Sequence, residues 1–355
     1  MFIVTNREID ENAKGLAKLG DRPNSKGPNE LRLVEATRSA GVWQVRVLPD
    51  TIDDAMKAEV GIIDPGPVYA SRYVSQKVLN ALQTQKRNFL FFVHGYNNDI
   101  EDVLNRAHGF EQIYKVEVMA FSWPANGGGA RGVASYLSDK RDAQASVPAL
   151  GRCLEKLYEY LSDINKLRVE KIRQEAQQHH PDNADLRDQY IAQQTEKGCP
   201  FTVNMVLHSM GNYLFKHVLQ SSVFKGGRQL LFDNVTMVAA DANNDGHVEW
   251  VDLINSRRRI YITINEDDSA LMASRMKTGS EQQARLGHYP FNLYSAKAVY
   301  VNFTDVDKVG KSHAYFEGGP IQNAAVKRFF RKAFHGLRAE EDLSFDPARR
   351  LHSFG

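Results

Sequence analysis

The chain has 355 residues, 42% of them hydrophobic and 25% charged, and its 45 lysines and arginines nearly balance 43 aspartates and glutamates, leaving a formal net charge of +2. That composition supplies a large apolar core and excludes both an acidic disordered chain and a strongly basic nucleic-acid binder. Two cysteines, Cys153 and Cys199, leave no material for a disulfide framework or a multi-cysteine zinc site, which fits a reducing, cytoplasmic setting.

The opening Met-Phe-Ile-Val-Thr-Asn-Arg turns polar too soon for the apolar region of a signal peptide, and no later run approaches the roughly 20 apolar residues of a membrane span. Peripheral membrane contact stays open, and the sequence is silent on oligomeric state. Residues 1–85 carry short β-like runs at 2–4 and 43–48, expected to join, with a helix, the same sheet as the later strands. From there apolar, β-branched or aromatic runs recur at 88–93, 116–123, 201–207, 235–240, 259–264 and 298–303. Their unbroken apolarity predicts strands covered on both faces, as parallel strands are. Between them Ile100, Val103, Leu104, Ala107 and Phe110 share one helical face, as do Leu214, Phe215, Val218 and Leu219. Alternating strand and helix predicts an α/β fold, a mostly parallel sheet with helices on both faces.

Residues 162–197 break the rhythm. They are polar and helix-favouring, interrupted near Pro181 and Asn183, and predict a helical hairpin, a cap inserted into a core that spans 86–161 and 198–338. The last helix aligns Val326, Phe329, Phe330, Ala333 and Leu337 on one face and basic residues on the other, expected to pack on the sheet rather than on a membrane. Residues 339–355 are expected to be a tail.

Chemistry concentrates where strands end. Val206-Leu207-His208-Ser209-Met210-Gly211 closes one apolar run and opens a helix, the context of a nucleophile elbow, in which a serine projects above the sheet and the next N–H begins a helix. The usual pattern is G-x-S-x-G, and Leu207 stands where the first glycine would be. Earlier, Phe91-Phe92-Val93-His94-Gly95-Tyr96-Asn97-Asn98 closes another strand in the order that supplies a second oxyanion donor, making the N–H groups of Tyr96 and Met210 the expected oxyanion hole, with His94 structural. A serine hydroxyl needs a base, and that base an orienting carboxylate, in the chain order serine, acid, histidine. His313, after the run at 298–303, is the expected base over His288, His335 and His352. Asp268, beside Glu266 and Asp267, is the expected acid, with Asp241, one strand earlier, the alternative.

The ordered blocks V-H-G-Y-N-N (93–98), F-S-W-P (121–124), Tyr136, Asp139 and Ser146 with P-A-L (148–150), H-S-M-G-N (208–212), D-S-A-L (268–271) with Ser274, and S-H-A-Y-F (312–316) resemble the α/β-hydrolase group catalogued as domain of unknown function 900, over roughly 88–330. The resemblance implies a lipase-like or esterase-like serine hydrolase needing no cofactor. At the matching positions it implies Ser209 as nucleophile, Asp268 as acid, His313 as base, and Tyr96 with Met210 as oxyanion donors. A soluble ester is the expected substrate. Two alternatives stand beside it: a lipase acting on membrane lipid with the 162–197 insert as lid, and a non-catalytic interaction protein on a hydrolase scaffold.

Two further patterns point elsewhere. Asp241, Asn243, Asp245 and Asp252 share the spacing of a calcium loop, but they follow a strand rather than a helix, which favours an ordinary strand-to-helix turn and no metal. The glycine-rich segment 126–132 lacks phosphate-loop spacing and is expected to be a loop at the rim of the site.

Overall fold

The computed structural model describes residues 1–27, 30–125, 131–223, 228–276 and 284–355, without the side chains of residues 131–135 and 137. Most of the glycine-rich segment, 126–130, therefore lies outside the described residues. In chain order the strands are β1 (Phe2–Thr5), β2 (Arg7–Ile9), β3 (Leu19–Pro23), β4 (Arg32–Ser39), β5 (Val42–Val47), β6 (Thr51–Ile52), β7 (Val68–Tyr69), β8 (Phe89–Val93), β9 (Glu117–Ser122), β10 (Val203–His208), β11 (Phe232–Val238), β12 (Ser256–Ile264), β13 (Ala298–Asn302), β14 (Ser344–Asp346) and β15 (Leu351–Ser353). The helices are α1 (Asp54–Glu59), α2 (Ala70–Gln85), α3 (Ile100–Tyr114), α4 (Arg131–Ala145), α5 (Val147–His179), α6 (Ala184–Glu196), α7 (Met210–Gln220), α8 (Val248–Val251), α9 (Ser269–Met276) and α10 (Ala324–Phe334).

Eleven strands make one sheet in the order β14-β15-β13-β12-β11-β10-β8-β9-β1-β4-β5. The run from β15 to β1 is parallel throughout, and β14 and β4 pair antiparallel at its two ends. This is the mostly parallel α/β architecture that the alternating pattern predicts, in the form the family resemblance implies, an α/β-hydrolase sheet. Every residue of β8, β9, β10 and β11 is buried, which explains their unbroken apolarity. Successive side chains still go to opposite faces: Phe91 and Leu207 enter the core under α2, α5 and α7, while Phe92 and Val206 enter the core under α3 and α10.

From β8 the chain steps to β9 in one direction, whereas from β10 it continues through β11, β12 and β13 in the other. The direction of winding reverses between β8 and β10, and the crevice at the carboxyl ends of such strands is where open α/β sheets hold ligands.

Three segments differ from the sequence expectation. Residues 339–355 do not trail away: β14 and β15 extend the sheet edge, and β15 buries Leu351. Two strands of three residues with one buried side chain between them leave no periodic signature. Leu337 does not share the face of α10, because Gly336 takes a left-handed turn (φ +69°) beyond the helix end, and Phe334 fills the core instead. The apolar stripe of α10 is spent on the sheet, each buried phenylalanine contributing about 1.5–3 kcal/mol. The polar excursion is rooted differently as well, since α5 runs without a break from the core, where Ala149, Leu150 and Leu154 are buried, into the hairpin it makes with α6. Asn183 caps α6 by accepting from the Leu186 N–H at 3.0 Å.

Candidate functional site

Ser209 stands between β10 and α7 with φ +52° and ψ −123°, a backbone conformation that L residues rarely hold and that persists only where the surroundings enforce it. The enforcement is visible. The Ser209 N–H donates to Val238 O at 3.0 Å, and its carbonyl accepts from the Asp241 N–H at 3.2 Å, tying the turn to the end of β11. Buried Asn212 adds its side-chain amide, donating to Ser209 O at 3.0 Å and Leu207 O at 3.2 Å. Gly211 is demanded by close approach, because a Cβ there would lie 2.7 Å from Val93 O and 2.8 Å from His94 O. The turn therefore forms with Leu207 in place of a glycine: that side chain is fully buried in the sheet core rather than crowding the loop.

The turn after β8 passes directly over this serine. A Cβ on Gly95 would sit 2.6 Å from Ser209 Cβ and 3.1 Å from Oγ, so only glycine fits, and the chain then continues to the Tyr96 N–H. His94 fixes the turn from beneath. Its Nε2 accepts from the Trp123 N–H at 3.1 Å, which leaves the proton on Nδ1 for the Gly95 carbonyl at 2.7 Å, and its ring stacks on Trp123. Complete burial pushes its pKa down to about 3, so the imidazole is neutral. The next residues are held from two sides: Asp139 accepts from the Asn97 N–H at 3.2 Å, and the buried Arg7 guanidinium donates to Asn98 O at 3.2 Å and Ser122 Oγ at 2.9 Å. Burial lowers the Arg7 pKa to about 10, which still leaves it charged at neutral pH.

His313 and Asp268 come from the loops after β13 and β12. Nδ1 of His313 lies 2.8 Å and 3.0 Å from the two Asp268 oxygens, so it carries the proton and Nε2 keeps its lone pair. The fully buried Asp268 is fixed in turn by the Ala270 and Leu271 N–H groups at the start of α9, both at 3.0 Å, and by the Tyr315 hydroxyl at 3.0 Å. Burial beside that carboxylate drives the Tyr315 pKa well above 10, so the phenol stays a donor. His208, the residue before Ser209, donates from Nε2 to His313 O at 3.1 Å, and the two rings are 4.8 Å apart. Burial holds the His208 pKa well below 6.5. Among the described residues, neither Ser209 Oγ nor His313 Nε2 has a hydrogen-bond partner, though both atoms are buried.

The alternative acid is differently engaged. Asp241 is buried against Arg285 (Nε 3.2 Å), Ser274 (2.8 Å) and the Tyr136 hydroxyl (3.0 Å). Asn243 accepts from Arg285, and Asp252 accepts from Ser295, while Asp245 is exposed, so the calcium-spaced oxygens serve separate partners. No group of three or more metal-ligating side chains forms among the described residues. Of the competing histidines, His335 uses both ring nitrogens, on Asn88 and Tyr114 O. His352 lies in β15 against Phe345, and half-buried His288 has its Nε2 without a partner but touches neither Ser209 nor Asp268 by hydrogen bond. Glu266 is exposed, and the Asp267 N–H turns back to Asn265.

Arg7, His208, Asn212 and Tyr315 escaped the sequence reading. Tyr315, two residues beyond His313, and Asn212, three beyond Ser209, stand inside motifs already singled out. Arg7 carried no signal, because its partners are distant in sequence.

The family described as "Alpha/beta hydrolase of unknown function (DUF900)" matches residues 71–169 and 173–326. No curated protein and no solved structure matches the chain. No helix among the described residues is long and apolar enough to cross a membrane.

Proposed function

The chain belongs to the α/β-hydrolase family DUF900, and from that premise we propose that it is a serine hydrolase which cleaves a carboxylic ester through an acyl-enzyme. His313 Nε2 takes the proton from Ser209 Oγ as the hydroxyl attacks the carbonyl carbon. Asp268 keeps the imidazole in the tautomer with Nε2 free and stabilises the imidazolium that forms. The N–H groups of Met210 and Tyr96 receive the oxyanion; Met210 opens α7, where an N–H has no partner inside the helix. The imidazolium then protonates the departing alkoxide, and a water deprotonated by the same histidine releases the acid.

One observation carries this reading. Ser209 Oγ and His313 Nε2 are both buried and without partners among the described residues, the serine on a backbone strained to present it and the imidazole held through Nδ1 by Asp268. Native proteins rarely leave such groups unpaired unless something else is to meet them. The resident pair fits a substrate carbonyl and the proton in flight.

The test is a rapid-quench reaction with a chromogenic ester followed by mass analysis of the peptide carrying Ser209. The proposal expects an acyl adduct on Ser209 and an initial burst of alcohol. Unaltered turnover by Ser209→Ala protein contradicts it.

A further inference from the structure

A cavity of about 580 Å³ opens away from this constellation. It lies on the α2 and α5 face of the sheet and runs obliquely from Leu33 on β4 to Phe89, the first residue of β8, and Phe201, just before β10. Ser209 and Gly95 sit at the opposite, carboxyl ends of β8 and β10, and none of the residues proposed for ester cleavage lines the cavity. Its volume falls in the range of small-molecule sites, about 300–1,000 Å³.

The chemistry of the wall is divided. The floor, crossing the four adjacent strands β4, β1, β9 and β8, is apolar: Leu33, Val4, Met119 and Phe89, with Phe201 beside them just before β10. Leu157 and Leu161 of α5 and Leu79 of α2 stand only partly buried above it, apolar surface that the protein itself does not cover. Cys153 in the same wall is buried, with its thiol pushed up to about 12, so it too behaves as an apolar group. Charge is confined to the rim. There Glu30 and Asp50 are both occupied by Arg32, at 2.5 Å and 2.7 Å. Among the described residues Arg152, exposed on α5, has no acidic partner, and Lys156, one turn further on, shares its charge only with Glu159 at 2.6 Å. The Ser71 and Tyr160 hydroxyls meet at 2.6 Å and bridge α2 to α5 across the opening.

A long apolar trough with accessible cations at its edge fits one shape of ligand. We propose that this cavity binds a single-chain anionic amphiphile, a long-chain carboxylate, with its hydrocarbon lying between α2 and α5 and its head group at Arg152 and Lys156. The inference stands apart from ester cleavage at Ser209 and does not require it.

The test is calorimetric titration of the full chain with saturated carboxylates of increasing length and with the matching uncharged alcohols, on wild type, Ser209→Ala, Leu157→Trp and Arg152→Glu proteins. The proposal expects affinity to rise about fourfold per added methylene, the equivalent of about 0.8 kcal/mol, until the trough is full. It expects carboxylates to bind at least tenfold more tightly than alcohols of equal length, Arg152→Glu to remove that preference, and Ser209→Ala to bind as wild type does. Leu157→Trp, which fills the trough, should abolish binding. Arg152→Glu changes only an exposed side chain, so it keeps the test open if the tryptophan variant fails to fold. Equal affinity for carboxylate and alcohol, insensitivity to both cavity substitutions, or loss of binding in Ser209→Ala overturns the proposal.

Discussion

The Nδ1–H of His313 donates to Asp268 across 2.8 Å and so joins the loops after two neighbouring strands, β13 and β12. Asp241, one strand earlier, faces Arg285 instead, at 3.2 Å. The two aspartates therefore answer differently to the same substitution. Asp268→Asn keeps an acceptor for the Ala270 and Leu271 N–H groups, so the fold survives, but the amide cannot stabilise the imidazolium or favour the right tautomer. The expected loss in kcat is about 10⁴-fold, the size seen for this change in a well-studied protease triad. Asp241→Asn strands a buried guanidinium and should cost about 3–5 kcal/mol of stability, with kcat per folded molecule little changed. Ester kinetics beside thermal melts separate the two; the reverse pattern moves the acid to Asp241.

Gly95→Ala tests the other side of the site. The added methyl would lie 2.6 Å from Ser209 Cβ, so the turn carrying Tyr96 must move away. If the Tyr96 N–H binds the oxyanion, the loss of that one donor lowers kcat by about 10²- to 10³-fold. KM should change much less, because the donor acts on charge that develops only in the transition state. Steady-state kinetics on the folded variant check this, and wild-type kcat would remove Tyr96 from the oxyanion hole.

How much of the fold and the site was legible in the sequence depended on distance along the chain. The sheet was legible because β8 through β13 are largely buried on both faces and their apolar runs are continuous. Ser209, His313 and Asp268 were legible because each follows the carboxyl end of a strand, Ser209 directly and the other two in the next loop, and the order of strands constrains where those loops can meet. The bonds that hold those residues in position were not. Arg7 reaches Asn98, and Asn6 donates to Ser146 at 2.9 Å, each across a long stretch of intervening chain. No periodicity links such pairs. The edge strands β14 and β15 were missed for another reason: they are recruited by the partner strand β13 rather than by their own pattern.

Burial of His94 makes stability depend on pH. The unfolded chain takes up a proton as pH falls through about 6.5, whereas the folded imidazole resists until about 3. The unfolded state then binds more protons, so the stability present above pH 6.5 is lost progressively down to about pH 3. Each such histidine contributes at most about 1.4 kcal/mol per pH unit, and His208 is shifted in the same direction. Urea unfolding between pH 7 and pH 4 should show this slope. His94→Gln, though less stable overall, should show a slope shallower by up to one proton; identical slopes would mean that His94 is not the buried neutral group.

The most direct measurement is covalent labelling by a fluorophosphonate, which reacts only with a serine whose hydroxyl is primed by a base. The account predicts stoichiometric labelling of the native chain with the adduct on Ser209, none for Ser209→Ala, and labelling slowed by orders of magnitude for His313→Ala. An unlabelled native protein, or an adduct on any other residue, would contradict it.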